Sequence, residues 1–201
     1  TQNVDGFVRV SAAIKTAAVN LSKMSNDLRL LSSGPKAGIG EINLPAKQNG
    51  SSIMPGKVNP VIPEVVSQVA FRVIGNDLTI TMAAESGQLE LNAFEPIIFH
   101  SLFESIDCLT HAVATLTANC ITGIQANEMI CYKQVEESAG IATALCPTIG
   151  YQKASAIAKE SLETGKTVRE LVLEKGLLTI AETDSILDLK HMAGIPAAMW
   201  L

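Results

Sequence analysis

The sequence predicts an all-α protein, a bundle of long helices followed by a small helical domain, and three observations carry that reading. Apolar residues recur at three- and four-residue spacing through three runs of about 25 residues. Each run is bounded by the Pro, Gly and Ser signals that start and stop helices. After Gly123 the runs shorten and the punctuation becomes frequent.

The first run spans about 5 to 31 and carries Val8, Ala12, Val19, Met24, Leu28 and Leu31 with charges between them, a spacing that fits a period near 3.6. It stops before Ser33-Gly34-Pro35. The second opens at Asn59-Pro60-Val61-Ile62-Pro63-Glu64 and runs to about Ala84. Both prolines stand where a missing N–H costs least. The third begins around Glu95-Pro96 and continues to about Cys120, with Ile97, Leu102, Ile106, Leu109, Val113 and Leu116 as its apolar ladder.

Helices of this length reach roughly 40 Å and are rods of a bundle. Their apolar residues extend round much of each cylinder, so each rod needs cover on several sides. Three rods in one chain cannot supply it, and self-association is expected. Residues 1–124 therefore read as a central bundle domain and 125–201 as a small C-terminal helical domain. In the latter, Thr167 with Glu170 and Thr179 with Glu182 have the spacing of capping boxes, and Gly165 and Gly176 stand where helix C-caps belong.

Composition narrows the function. The chain has 201 residues, 47% hydrophobic, with net charge −5 and a sequence pI near 5.2; its cations are scattered, so no nucleic-acid footprint is present. No apolar stretch approaches the ~20 residues a bilayer span needs, and no signal peptide opens the chain. A cytoplasmic protein is expected. The four cysteines, Cys108, Cys120, Cys131 and Cys146, lack the close pairing of zinc or redox motifs and are expected to be reduced and mostly buried. His100 and His111 fall on one helix face but about 16 Å apart, too far to share a metal, and His191 stands alone. No metal site is expected. Thr164-Gly165-Lys166-Thr167 imitates the end of a phosphate-binding loop, but Glu160 occupies the place of its first glycine and a helix precedes it.

The chemistry concentrates in residues 50 to 60, Gly50-Ser51-Ser52-Ile53-Met54-Pro55-Gly56-Lys57-Val58-Asn59-Pro60. Gly50 and Gly56 let the backbone wrap a small anion and offer it N–H groups. Ser51 and Ser52 are weak bases as they stand, and Lys57 is near enough to favour a serine oxyanion once water is expelled. Taken by themselves, a Ser-Ser pair flanked by Gly is ordinarily a solvated loop and Lys57 ordinarily a surface lysine.

Taken in order, however, these eleven residues resemble the signature loop of the aspartase/fumarase superfamily of lyases. The resemblance extends through Asn26-Asp27-Leu28-Arg29-Leu30-Leu31-Ser32-Ser33-Gly34-Pro35 upstream and Gly75-Asn76-Asp77 and Glu90-Leu91-Asn92 downstream, covering essentially the whole chain. It implies elimination across a carbon–carbon bond of a small dicarboxylate. Ser51 would be the base, with Lys57 and Asn59 stabilising the charge that develops. Glu64 would be a further catalytic group, matching a family glutamate that pairs with a histidine this sequence lacks; its competing reading is a plain helix-start carboxylate. Ser52, Met54, Lys57 and Asn59 would bind substrate.

Asn59-Pro60-Val61-Ile62-Pro63-Glu64-Val65-Val66-Ser67-Gln68-Val69 and Ala83-Ala84-Glu85-Ser86-Gly87-Gln88-Leu89-Glu90 resemble the ammonia-releasing branch more than the fumarate-hydrating one. The expected reaction is thus aspartate to fumarate and ammonia, with malate/fumarate interconversion as the alternative and a non-catalytic helical assembly fragment as a second. No cofactor is implied, with activation by a divalent cation such as Mg left open. The family also implies a homotetramer with a shared helical core. Thr1 is not an initiator and a helix is under way within a few residues, so the expected partner includes an N-terminal portion of the same enzyme.

Overall fold

The computed structural model describes residues 2–48, 50, 53–54 and 57–194. It divides into two compact units, Thr1–Asn127 and Glu128–Leu201, where the sequence reading put the division at 124/125.

The first unit is built on three long helices, α1 (Asp5–Leu31), α2 (Val61–Glu85) and α3 (Glu95–Asn119). Their ends fall within about a residue or two of the punctuation that announces them. Val4 at the start of α1 packs with Ile80 and Ala83 near the end of α2 and with Ile98 and Leu102 early in α3. At the other end, Leu21 and Leu28 pack around Val66, Ala112 and Leu116. The helices therefore run up, down and up. A two-residue antiparallel ladder, β1 (Ile42–Asn43) with β2 (Gln125–Ala126), ties the loop after α1 to the segment after α3; the sequence reading contained no strand.

The buried face of α1 corrects the expectation. Its buried residues are Ser11, Ala18, Ser22 and Ser25, whereas Val19 and Met24 are 48% and 50% exposed. Small side chains let the α1 backbone approach α2 closely, and Ala18 meets Ala70 and Val73 there. Among the described residues the hydroxyls of Ser25 and Ser67 are buried without a hydrogen-bond partner. Polar links complete the packing. Asp77, buried on α2, accepts from the Ser11 hydroxyl at 2.7 Å and from Lys15 Nζ at 2.5 Å, and Asn76 donates to the Ser105 hydroxyl (3.0 Å) and the Glu104 carboxylate (2.8 Å) on α3.

Within this chain the rods are only half covered. Phe71, Ile74, Leu78 and Met82 form an exposed stripe along α2 at helical spacing. On α3, Ile97, Ile106 and Val113 of the expected ladder are also exposed, while Leu102 and Leu116 are buried.

The second unit holds α4 (Glu128–Glu136), a 3-10 segment (Ala139–Leu145), α5 (Cys146–Ile149), α6 (Tyr151–Thr164), α7 (Val168–Glu174), α8 (Ile180–Ile186) and α9 (Leu189–Met192). Its core gathers Ile141, Leu145, Ile157, Val168, Leu171, Val172 and Leu187. Both capping boxes form, and Gly165 and Gly176 have φ of 73° and 60° after α6 and α7. The Thr164–Thr167 run is thus a helix–helix junction. Of the four cysteines only Cys120 is buried. The expectation of mostly buried thiols fails because Cys108, Cys131 and Cys146 lie on helix surfaces the chain covers only in part. Burial pushes the Cys120 thiol above its usual range.

Candidate active site

The base of the signature loop is closed by backbone contacts. Gly50 N donates to the carbonyl of Lys57 at 2.8 Å, Lys57 N donates to the Met54 carbonyl at 3.2 Å, and Asn59 Nδ2 donates to the Gly50 carbonyl at 3.2 Å. The two strands of the loop run so close that a Cβ built on Gly50 would lie 2.0 Å from the Lys57 carbonyl oxygen. Glycine is required there for want of space. Ser51 and Ser52 lie outside the described residues, so their expected roles as base and substrate ligand are assessed on sequence alone.

Beside the loop base lies an open cleft of about 510 Å³, lined by Lys57, Asn59 and Glu64 together with Arg29, Ser32, Ser33 and Asn43. Three of the expected site residues therefore share one space. Met54 does not: it is half exposed in a bend and is absent from the cleft wall. Glu64 sits in the first turn of α2, where the helix dipole favours an anion. Arg29 sits in the last turn of α1, where a cation is favoured, and its Nη2 lies 3.6 Å from Glu64 Oε1.

The remaining walls are held by short-range bonds. Ser33 accepts from Ile39 N at 3.0 Å and donates to the Leu30 carbonyl at 2.6 Å, which folds the chain back after α1. Asn127 N donates to the Glu41 carbonyl at 2.8 Å and Asn127 Nδ2 to that of Gly40 at 2.6 Å, fastening the Asn43–Pro45 wall. Pro45 presses on Gly123, where a Cβ would stand 2.5 Å from its ring. Arg29, Ser32 and Asn43 were assigned no role from the sequence. Arg29 stands inside the Asn26–Pro35 resemblance, and that was its one legible signal.

Two cations and one carboxylate give the described cleft a net positive charge, with amide and hydroxyl groups around them. Such a lining suits a small anion. Among the described residues no group of three or more His, Cys, Asp or Glu side chains could hold a metal ion, and no helix is long and apolar enough to cross a membrane.

Comparison with known proteins places the chain among lyases. A family described as "Lyase" matches residues 1–75 and one described as "Fumarase C C-terminus" matches residues 141–194. Aspartate ammonia-lyase of Helicobacter pylori is 56% identical over 192 residues, 96% of this chain and 41% of that protein. Among solved structures, the cobalt-bound fumarate lyase:delta crystallin of Brucella melitensis has a TM-score of 0.91 at 54% identity, covering 95% of this chain and 41% of that one. Class II fumarase of Schistosoma mansoni gives 0.85 at 36% identity, with 92% and 39% covered. The chain spans about two-fifths of the length of these relatives. With identity above one half across nearly all its residues and the same fold, the chain belongs to the aspartase/fumarase superfamily of lyases.

Proposed function

We propose that this chain is part of an aspartate ammonia-lyase, which converts L-aspartate to fumarate and ammonia. The observation that carries the reading is the cleft that brings Lys57, Asn59 and Glu64 together at the closed base of the Gly50–Pro60 loop. The ammonia-releasing assignment is favoured over fumarate hydration by 56% identity to an aspartate ammonia-lyase against 36% to a fumarase.

In the proposed reaction Ser51, as its oxyanion, removes the proton from the carbon beside one carboxylate, and the electron pair passes into that carboxylate to give a dianionic aci-carboxylate. Collapse of this species forms the carbon–carbon double bond and breaks the carbon–nitrogen bond, so the substrate's ammonium leaves as ammonia. Lys57 and Asn59 face the developing charge. A preorganised donor of this kind contributes ~3 to 4 kcal/mol. Asn59 is already held to the loop through Gly50, so little reorganisation is needed when charge appears. Ser52 and Met54 complete the proposed substrate contacts.

Partners and setting belong to the same proposal: a homotetramer whose shared helical core covers the exposed stripe of α2, an N-terminal portion supplying the rest of the site, and a cytoplasmic location. No cofactor is assigned a step. EDTA should leave turnover intact, and a loss restored by Mg would make the cation an activator.

The deciding assay follows fumarate by ultraviolet absorbance in the complete enzyme. L-Aspartate should give fumarate with matching ammonia, and malate little. Robust malate dehydration without ammonia would establish the hydratase instead. Ser51→Ala should lower turnover by orders of magnitude with little effect on stability, and equal losses from Ser51→Ala and Ser52→Ala would leave Ser51 without its role. Activity in neither assay would favour the assembly-fragment reading.

A further inference from the structure

The Asn43–Pro45 wall of the cleft is seated against the end of the signature loop. Leu44 and Ile62 pack on one core cluster with Val66 and Leu116, and Leu44 and Pro45 close on Pro60 and Val61 around a void of only about 10 Å³, too little for more than one water molecule. Asn43 and Asn59 each stand one residue before that contact and both line the cleft. The Asn43 amide is held in one orientation. Asn43 pairs with Gln125 across the β1–β2 ladder, which makes Asn127, two residues further on, its diagonal neighbour. Asn127 Nδ2 donates to the Gly40 carbonyl at 2.6 Å and to Asn43 Oδ1 at 3.2 Å. A backbone carbonyl only accepts, so it turns the Asn127 nitrogen toward itself and leaves Asn127 Oδ1 to accept from Asn43 Nδ2. The Asn43 oxygen and one of its two N–H groups are thereby engaged. Its second N–H has no partner among the described residues, and Asn43 is exposed on a cleft wall it shares with the cations Arg29 and Lys57.

We propose that Asn43 is a further substrate-binding residue, whose remaining side-chain N–H donates to a carboxylate of the substrate in the cleft that Lys57 and Asn59 line, and that Asn127 is the positioning residue that fixes this amide. The proposal rests on the dicarboxylate reading above. With its oxygen tied to Asn127, Asn43 meets the cleft as a donor, which suits an anion and not a cation. Asn127 acts through Asn43 and does not itself grip the ligand.

The test is binding of succinate, an unreactive dicarboxylate, to the complete enzyme by titration calorimetry, with circular dichroism as a folding control. Asn43→Ala should bind about tenfold more weakly, the scale of one hydrogen bond to a charged group, and Asn43→Asp, of the same size but negatively charged, more weakly still. Asn127→Ala, which keeps its backbone bond to Glu41, should weaken binding less. The double variant Asn43→Ala/Asn127→Ala should bind no worse than Asn43→Ala alone, because Asn127 acts only through that amide. With L-aspartate the losses should fall on KM, with kcat within about twofold of the parent. Unchanged succinate affinity in Asn43→Ala or in Asn43→Asp would overturn the proposal, and so would a loss confined to kcat. Losses that add in the double variant would overturn the positioning role of Asn127. If the parent enzyme binds no succinate, the dicarboxylate reading fails by itself, and the donor is then judged with inorganic phosphate as the probe. Weaker phosphate binding by Asn43→Ala than by the parent upholds it, and equal binding, or none by either protein, defeats it.

Discussion

Gly50 and Lys57 are joined through their backbones at a separation that admits no side chain: the Gly50 amide donates to the Lys57 carbonyl at 2.8 Å, and a Cβ on Gly50 would sit 2.0 Å from that same oxygen. The contact sets where Lys57 and Asn59 enter the cleft. Because the obstacle is backbone, a rotamer change cannot relieve it.

Gly50→Ala should therefore open the base of the loop while leaving the helices intact. Turnover of the complete enzyme should fall at least about a hundredfold, the scale of displacing a positioned group by ~1 Å, with the melting temperature nearly unchanged. Full activity in this variant would mean that closure of the loop base does not matter to catalysis.

The stripe of Phe71, Ile74, Leu78 and Met82 is exposed on α2, and continuous apolar surface of this kind is unusual in soluble monomers. Light scattering should find the 201-residue chain associated, and Leu78→Asp should shift it toward the monomer while retaining its helical circular dichroism. A parent chain that is already a clean monomer would defeat the assembly proposal.

Asp77 is buried and satisfied by Ser11 and Lys15 from the neighbouring helix. Asp77→Ala strands both donors at the α1–α2 contact and should cost about 2 kcal/mol, less than a fully buried pair because Lys15 is partly exposed. Urea unfolding measures this directly. A change below about 0.5 kcal/mol would place the link among contacts of no consequence.

The capping boxes make the second unit sensitive to acid. Thr167 N donates to the Glu170 carboxylate and Thr179 N to that of Glu182, each at 2.8 Å; together with the threonine hydroxyls these bonds hold both carboxyls below their usual range. A group whose pKa is lowered by folding contributes stability above its unfolded value, near 4.3, and loses that contribution as pH falls through the lower folded value. Stability should thus decline below about pH 4.5, and Glu170→Gln with Glu182→Gln should flatten that part of the profile. At neutral pH, Thr167→Ala should cost about 1 kcal/mol by removing the cap. An acid limb of equal slope in the double variant would assign the sensitivity to other carboxylates.

What the sequence by itself determined is local. Helix ends at Leu31, Val61 and Glu95 and the boxes at Thr167 and Thr179 are written in residues within a turn of each boundary, because caps, prolines and glycines act on the adjacent backbone. The glycine at position 50 and the cation at 57 were legible in the same way, through a loop whose order of residues is itself the signal. Tertiary structure alone decided which side of each rod is buried. On α1 the protein buries Ser11, Ala18, Ser22 and Ser25 and leaves Val19 and Met24 outside, since burial depends on how closely the facing helix approaches and not on hydrophobicity alone. Leu89, at φ 52° in the turn bridged by Gln88 and Leu91, likewise holds a place that local preference would give to glycine. The pairing of Arg29 with Glu64, thirty-five residues apart in sequence, exists because the end of one rod and the start of the next meet at the cleft. That meeting is a property of the packed helices, and no local signal encodes it.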